Sequence, residues 1–161
     1  MKFSAVTSTL FPDLTGTGRT FMSNFKQHML NFATARGLDG NNPFARIAEI
    51  DGEKGAEILR EAIAMSCQAT HMGSMEAGWA ALAEMPPSWL RDRLVKESLT
   101  VVHLDDDMEY RQLCELSLRT LPEKLEDIVT LGLKSLNADI REAAEDYRHE
   151  IIRNDQNANQ L

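Results

Sequence analysis

Residues 75–86, MEAGWAALAEMP, and residues 108–122, MEYRQLCELSLRTLP, decide the fold, because the second stretch repeats the apolar pattern of the first. A shift of 36 residues superimposes Ala77 on Leu113, Ala80 on Leu116, Leu82 on Leu118, Met85 on Leu121 and Pro86 on Pro122. Within each stretch apolar residues recur every three or four positions, which is typical of one helix face. The prolines separate successive helices. The repeated unit is therefore a helix–turn–helix of roughly 35 residues.

The same periodicity predicts helices along most of the chain. They are expected at about residues 20–36, 44–50, 52–70, 74–85, 88–104, 107–121, 125–136 and from 138 to beyond 151. Asp51 stands where it can cap the third of these helices, and the acidic residues 105–107 suit a helix N-terminus. Leu, Ala and Met are abundant and favour helices. The fold class predicted from these patterns is all-α.

The stretch 137–144, NADIREAA, combines an aspartate, an aliphatic residue, an arginine and small apolar positions. This pattern resembles the second helix of a HEAT-type repeat, and with the repeated unit it makes residues 52–152 similar to the HEAT and armadillo group of short helical repeats. The resemblance implies stacked helical hairpins, a short HEAT-like α-solenoid in which neighbouring pairs cover each other's apolar faces. The alternative interpretation is an irregular helical bundle.

The chain of 161 residues is predicted to be one domain spanning 1–161. Residues 1–19, rich in Ser, Thr and Gly, are expected to form an irregular N-terminal arm, and residues 20–50 a helix and a turn. The stack follows over 52–152, and residues 153–161 form a polar tail. No apolar run reaches the roughly 20 residues of a membrane span, and no signal peptide is recognisable. The expected localisation is cytoplasmic, with no membrane partner.

The net charge of −8 is concentrated in the last third of the chain. Residues 105–161 carry fourteen acidic and seven basic side chains, whereas residues 1–50 have a small basic excess. An acidic surface repels nucleic acid, whose binding proteins need a basic footprint, so nucleic acid is excluded as a partner. The same charge attracts a basic protein and accelerates the encounter, while a role in solubility alone is the other interpretation.

No catalytic or phosphate-binding motif stands out, and no cofactor or metal is expected. The four histidines lack the spacing of a helical zinc site, and the carboxylates near His103 lack the glycine of a calcium loop. Cys67 and His71 are four positions apart and are the one candidate nucleophile pair. Together with His103 they are the candidate polar lining of a pocket between helices.

These patterns predict a non-catalytic protein-binding module that uses an acidic helical surface, not an enzyme. A bacterial immunity protein or antitoxin, covering the basic cleft of a toxin or another enzyme, is the sharpest version of this hypothesis. The residues predicted to bind the partner are Asp105, Asp106, Asp107, Glu109, Gln112, Glu115, Glu142, Glu145, Asp146 and Trp89. The alternatives are an enzyme or small-ligand carrier with an inter-helix pocket, and a scaffold subunit whose arm packs on a neighbour.

Overall fold

The computed structural model describes residues 15–68 and 70–158, with side chains over 24–68 and 70–152. Within these residues the protein is entirely helical, which confirms the predicted all-α class. The α-helices are α1 (Thr15–Thr34), α2 (Gly52–Cys67), α3 (Met72–Glu84), α4 (Pro87–Arg91), α5 (Leu94–Val101), α6 (Asp107–Thr120), α7 (Leu125–Leu133) and α8 (Ala138–Ala158). Short 3-10 helices occupy Pro43–Glu49 and Pro122–Lys124.

Both terminal helices are longer than the sequence pattern predicts. α1 begins at Thr15, so the last five residues of the predicted irregular arm are helical, and residues 1–14 lie outside the described part. α8 continues through Ala158, into the predicted polar tail. Elongating an existing helix costs little, because each added residue brings its own backbone hydrogen bond. Weak propensity at a helix end is therefore a poor predictor of where the helix stops.

The predicted single helix over 88–104 is divided into α4 and α5, with the break at Asp92 and Arg93. The amide of Arg93 donates to the carbonyl of Leu90 at 2.9 Å, forming a tight turn. The carbonyl of Trp89, which this amide would reach in a continuous helix, accepts the Arg93 guanidinium at 3.2 Å. The guanidinium also lies 4.6 Å from the centre of the Trp89 ring. A side chain thus replaces one helical hydrogen bond.

Helix α2 lies at the centre of the molecule and packs against α1, α3, α5 and α6. Its inward side chains are fully buried, and they are Ile58, Leu59, Ala62 and Ile63. In a solenoid each unit contacts only its neighbours along the stack. A helix surrounded by four others fits the irregular helical bundle, which is the alternative interpretation of the sequence.

The backbones of α2 and α3 approach closely at Gly78. A Cβ atom at this position would lie 2.6 Å from the carbonyl oxygen of Ala62 and 3.0 Å from the amide nitrogen of Ser66. The hydroxyl of Ser66 is itself buried and donates to the Ala62 carbonyl at 2.7 Å. Because neither backbone atom can move without distorting α2, only glycine fits here.

A buried carboxylate ties α2 to α5. Glu97 is 5% exposed, and one of its oxygens accepts the Arg60 guanidinium at 3.0 Å. Arg60 also donates to Glu53, which lies about two turns earlier on the same face of α2. Burying a carboxylate without a partner is costly, so this ion pair requires the two helices to keep their relative position.

The last three helices are held together around Tyr110 on α6. Its side chain is fully buried, and its hydroxyl donates to the carbonyl of Ile128 on α7 at 3.2 Å. The hydroxyl occupies the space where a side chain at Gly132 would lie, so the ring passes close to the backbone of α7. Glycine at position 132 therefore allows α6 and α7 to pack around the ring.

The chain brings several helix ends together at one end of the molecule, which we call the loop end and define by residues 68, 70–72, 102–108 and 134–139. Gln68 at the end of α2 donates to the Val101 carbonyl and, at 3.2 Å, to Glu109. Asn137 donates to the Asp105 carbonyl at 2.9 Å and thereby joins the loops before α6 and α8. The opposite end is closed by an ion pair of 3.0 Å between Arg91 and Glu123.

None of the helices in the described segments is long and apolar enough to cross a lipid bilayer.

We expect Gly78→Ala to lower the free energy of unfolding by about 1–3 kcal/mol, because the added methyl group overlaps the backbone of α2. The overlap must outweigh the roughly 1 kcal/mol that alanine gains in helix propensity. Urea unfolding followed by circular dichroism measures the difference. The control is Gly52→Ala, whose methyl would have no neighbour within 4 Å and is expected to leave stability unchanged or slightly raised. Equal effects at the two positions would contradict the close packing of α2 and α3.

Candidate functional site

The aspartate triplet, which is Asp105, Asp106 and Asp107, lies exposed at the loop end, but its members differ in availability. Asp106 caps α6, because its carboxylate accepts the amide of Glu109 at 3.0 Å. Asp107 is 4.0 Å from the Arg111 guanidinium, which is a loose and exposed contact. The carboxylate of Asp105 forms no ion pair with any described residue. Asp105 is therefore without an ion pair among the described residues, and Asp107 is only loosely paired.

Glu109, another predicted binding residue, has a structural role at the same end. Its carboxylate accepts the backbone amide of His103 at 2.9 Å, the Gln68 amide at 3.2 Å, and lies 3.0 Å from Nδ1 of His103. Partial burial raises the pKa of Glu109, but these hydrogen bonds outweigh it and the net pKa is lowered. The hydrogen bond and the charge of Glu109 raise the pKa of His103. This pair holds the loop before α6 against the end of α2.

Three predicted acidic residues on α6 and α8 are already paired with arginines of the same chain. Asp146 is 3.2 Å from Arg111, and the hydroxyl of Tyr147 donates to the Arg111 carbonyl at 3.2 Å. Glu115 and Glu145 each lie 2.7 Å from an arginine of their own helix, which is Arg119 and Arg148 respectively. Exposed pairs of this kind reduce the field that a distant basic partner would experience.

Gln112 and Glu142 also lie outside the loop end. Gln112 is half-buried on α6, and Glu142 is exposed on α8. Neither contacts the aspartate triplet directly. The acidic surface predicted as one site is thus divided into the triplet and an ion-paired face.

Trp89 lies at the opposite end of the molecule. The indole is half-buried, and one ring carbon would be 3.1 Å from a Cβ atom at Gly55 on α2. Gly55 and Gln68, which touches Glu109, are 13 positions apart in the sequence, or about 20 Å along a helix. A single partner side chain cannot contact Trp89 and the triplet together, so the structure does not join them into one site.

Three large apolar side chains are exposed at the loop end, and the sequence pattern did not identify them as a group. Met72 and Met108 are each 62% exposed, and Leu136 is fully exposed. Met72 is the first residue of α3, Met108 is the second residue of α6, and Leu136 lies in the loop between α7 and α8. The one sequence signal available was that each stands at a helix boundary, where side chains need not face the core. Exposed apolar residues beside acidic ones are typical of a protein-binding surface.

A small cavity opens beside these residues, between the ends of α6, α7 and α8. Its volume is about 180 Å³. It is lined by Leu104, Tyr110, Leu131, Gly132, Lys134, Ser135 and Ile140. The lining is mainly apolar, and Leu104 directly precedes the aspartate triplet.

The three residues predicted to line an inter-helix pocket, Cys67, His71 and His103, lie at or next to the loop end. α2 ends at Cys67, and His71 precedes α3 with its ring exposed and 6.4 Å from the Phe25 ring. Burial raises the pKa of the Cys67 thiol to about 12, so the reactive thiolate is scarce at neutral pH. Cys67, His71 and His103 do not line the cavity described above. Over residues 24–68 and 70–152, no three His, Cys, Asp or Glu side chains converge as metal ligands would.

Comparison with protein-family models, curated proteins and solved structures finds no match to this chain. The assignment of a site therefore depends on the geometry given above.

We expect His103 to titrate above its ordinary pKa of about 6.5, and Glu109→Gln to bring that pKa back toward the ordinary value. Since the folded state holds the proton more tightly, the contact stabilises the fold fully below about pH 6.5 and ceases to do so as the pH rises through the raised pKa. An NMR titration of the imidazole measures the pKa, with Glu84→Gln as a distant control. An identical His103 titration in both variants would contradict this contact.

Proposed function

We propose that this chain is a non-catalytic protein-binding module whose loop end receives a basic segment of another protein. The observation that carries the proposal is the combination of exposed carboxylates at Asp105 and Asp107 with exposed apolar side chains at Met72, Met108 and Leu136. Apolar contacts supply affinity on binding, and unpaired charges at the edge supply orientation and rate.

The charge distribution supports the loop end over the α6–α8 face. At the loop end Asp105 has no ion pair with a described residue and Asp107 has one loose contact. On α6 and α8 the carboxylates of Glu115, Glu145 and Asp146 are each within 3.2 Å of an arginine. A partner gains more by pairing with a free carboxylate, because it need not displace an existing contact.

A bacterial immunity protein or antitoxin remains the sharpest version of this proposal. Such a protein acts by covering a basic substrate cleft, which requires an acidic surface with apolar contacts and no catalytic group. The antiparallel pair formed by α7 and α8 is the kind of unit that the HEAT-like resemblance requires. The HEAT-like resemblance and the stacked arrangement of hairpins stay predictions from the sequence, whereas the described helices fit an irregular bundle.

We expect the double variant Asp105→Lys and Asp107→Lys to lower the association rate with the natural partner by about tenfold or more at low salt, and to flatten its salt dependence. Asp106 is left unchanged, because replacing this cap would cost about 1 kcal/mol of helix stability and obscure the result. The partner is captured from a lysate of the source organism and then purified. Its association is measured by surface plasmon resonance over a range of salt concentrations.

The matched control is Glu84→Lys with Asp92→Lys, which changes the net charge by the same amount at exposed positions away from the loop end. We expect this variant to capture the same protein as the unmodified chain, with a much smaller change in rate. Equal loss of rate in both double variants would mean that net charge alone acts, and would contradict the assignment of the loop end.

A further inference from the structure

The cavity at the loop end has the size and lining of a pocket for one apolar side chain. Its volume is about 180 Å³, whereas a dry protein cavity of about 150 Å³ accommodates benzene. Three of the seven lining residues are aliphatic, namely Leu104, Leu131 and Ile140. The buried hydroxyl of Tyr110 already donates a hydrogen bond to the Ile128 carbonyl, so an occupant need not supply an acceptor for it. The cavity therefore suits a leucine- or phenylalanine-sized group.

Acidic residues stand next to two lining residues of the cavity in the sequence. Leu104 is followed by Asp105 and Ile140 is preceded by Asp139, and both aspartates are exposed. The hydrogen bond of 2.9 Å from Asn137 to the Asp105 carbonyl keeps the two loops of the mouth together. A carboxylate therefore lies one residue from the lining both before α6 and at the start of α8.

Two cations lie at the same place, and one of them, Lys134, lines the cavity itself. Lys134 is the C-terminal cap of α7, where a positive charge compensates the free carbonyl groups of the helix end. Arg141 donates to the Ser135 carbonyl at 2.8 Å and so holds the loop between α7 and α8. Counting Arg111, which contacts Asp107, three cations accompany the four carboxylates of the triplet and Asp139, which leaves an excess of one negative charge. The charge at the mouth thus favours a basic occupant over an acidic one.

We propose that this cavity is the anchor pocket for one leucine- or phenylalanine-sized side chain carried by a lysine- or arginine-rich segment of a partner protein. The inference rests on the proposed function and specifies the chemistry of the segment that the loop end receives. Leu136, fully exposed beside the mouth, supplies a further apolar contact for the same segment. An apolar core surrounded by a polar rim is the usual anatomy of a protein–protein interface.

The probe is the peptide acetyl-Lys-Lys-Leu-Lys-Lys-amide, added to the full chain and followed by methyl NMR. We expect it to shift the methyl signals of Leu104, Leu131 and Ile140. The peptide with alanine in place of leucine is expected to bind about tenfold more weakly, since it loses most of the buried apolar area. The peptide with glutamates in place of the lysines is expected to bind about tenfold more weakly at low salt.

The protein variant that tests the pocket is Leu104→Phe, whose larger side chain fills the cavity from its mouth. We expect it to weaken binding of the leucine peptide by about tenfold. The control is Leu99→Phe, an equivalent change at an exposed position outside the cavity, which is expected to leave binding unchanged. Should Leu104→Phe fail to fold by circular dichroism, Leu131→Phe fills the same cavity.

Equal binding of the leucine and alanine peptides would overturn the inference, because the cavity would then contribute nothing. Equal or tighter binding of the glutamate-flanked peptide would also overturn it, and would assign the mouth to an anion held by Lys134 and Arg141. Benzene can be added in a parallel methyl NMR titration. If benzene shifts the cavity methyl signals and the leucine peptide does not, the inference is also overturned, and the cavity would be assigned to a small apolar ligand.

The two proposals fail separately. If Leu104→Phe keeps full affinity for the captured partner while Asp105→Lys with Asp107→Lys loses it, the acidic loop end stands and the anchor pocket is refuted. If the leucine peptide enters the cavity while the captured partner associates equally fast with the Asp105→Lys, Asp107→Lys variant, the pocket stands and the proposed function is refuted.

Discussion

The contact of α2 with α3 at Gly78 is the constraint on which the arrangement of the other helices depends. With no side chain at this position, the backbones of the two helices approach until the Ser66 hydroxyl and the Ala62 carbonyl fill the space between them. The remaining faces of α2 are then free to be covered by α1, α5 and α6. These helices together bury one broad face of α2, and the row of fully buried side chains on that face reflects this.

The central position of α2 also determines what lies at each end of the molecule. Gln68 at its C-terminus binds the loop before α6, and the N-terminal half of α2 supports Trp89 and the buried Glu97. The loop end consequently contains the residues between helices. Some of them are acidic, because carboxylates stabilise helix N-termini. Others are apolar and exposed, because the helix boundary does not direct their side chains into the core. A surface suited to binding follows from how the helix ends are assembled.

The acidic residues have two different physical roles. Some are structural, such as Asp106 as the cap of α6, Glu109 as the acceptor of three hydrogen bonds, and Glu97 as the buried partner of Arg60. Others, including Asp105, cap no helix and form no ion pair through their carboxylate within the described segments. The negative charge of the chain therefore overstates the charge available to a partner, and part of what remains lies at the loop end.

The sequence by itself determined the all-helical class and most helix positions, because both arise from interactions that span three or four residues. The apolar periodicity, the prolines at 86, 87 and 122, and the cap at Asp51, whose carboxylate accepts the amide of Glu53 at 3.0 Å, are all of this kind. The tertiary structure alone decided the central place of α2, the exposure of Met108 and Leu136, and the separation of Trp89 from the aspartate triplet. Pairs such as Arg111 with Asp146 are 35 positions apart, and only the packing of whole helices brings such residues together or keeps them apart.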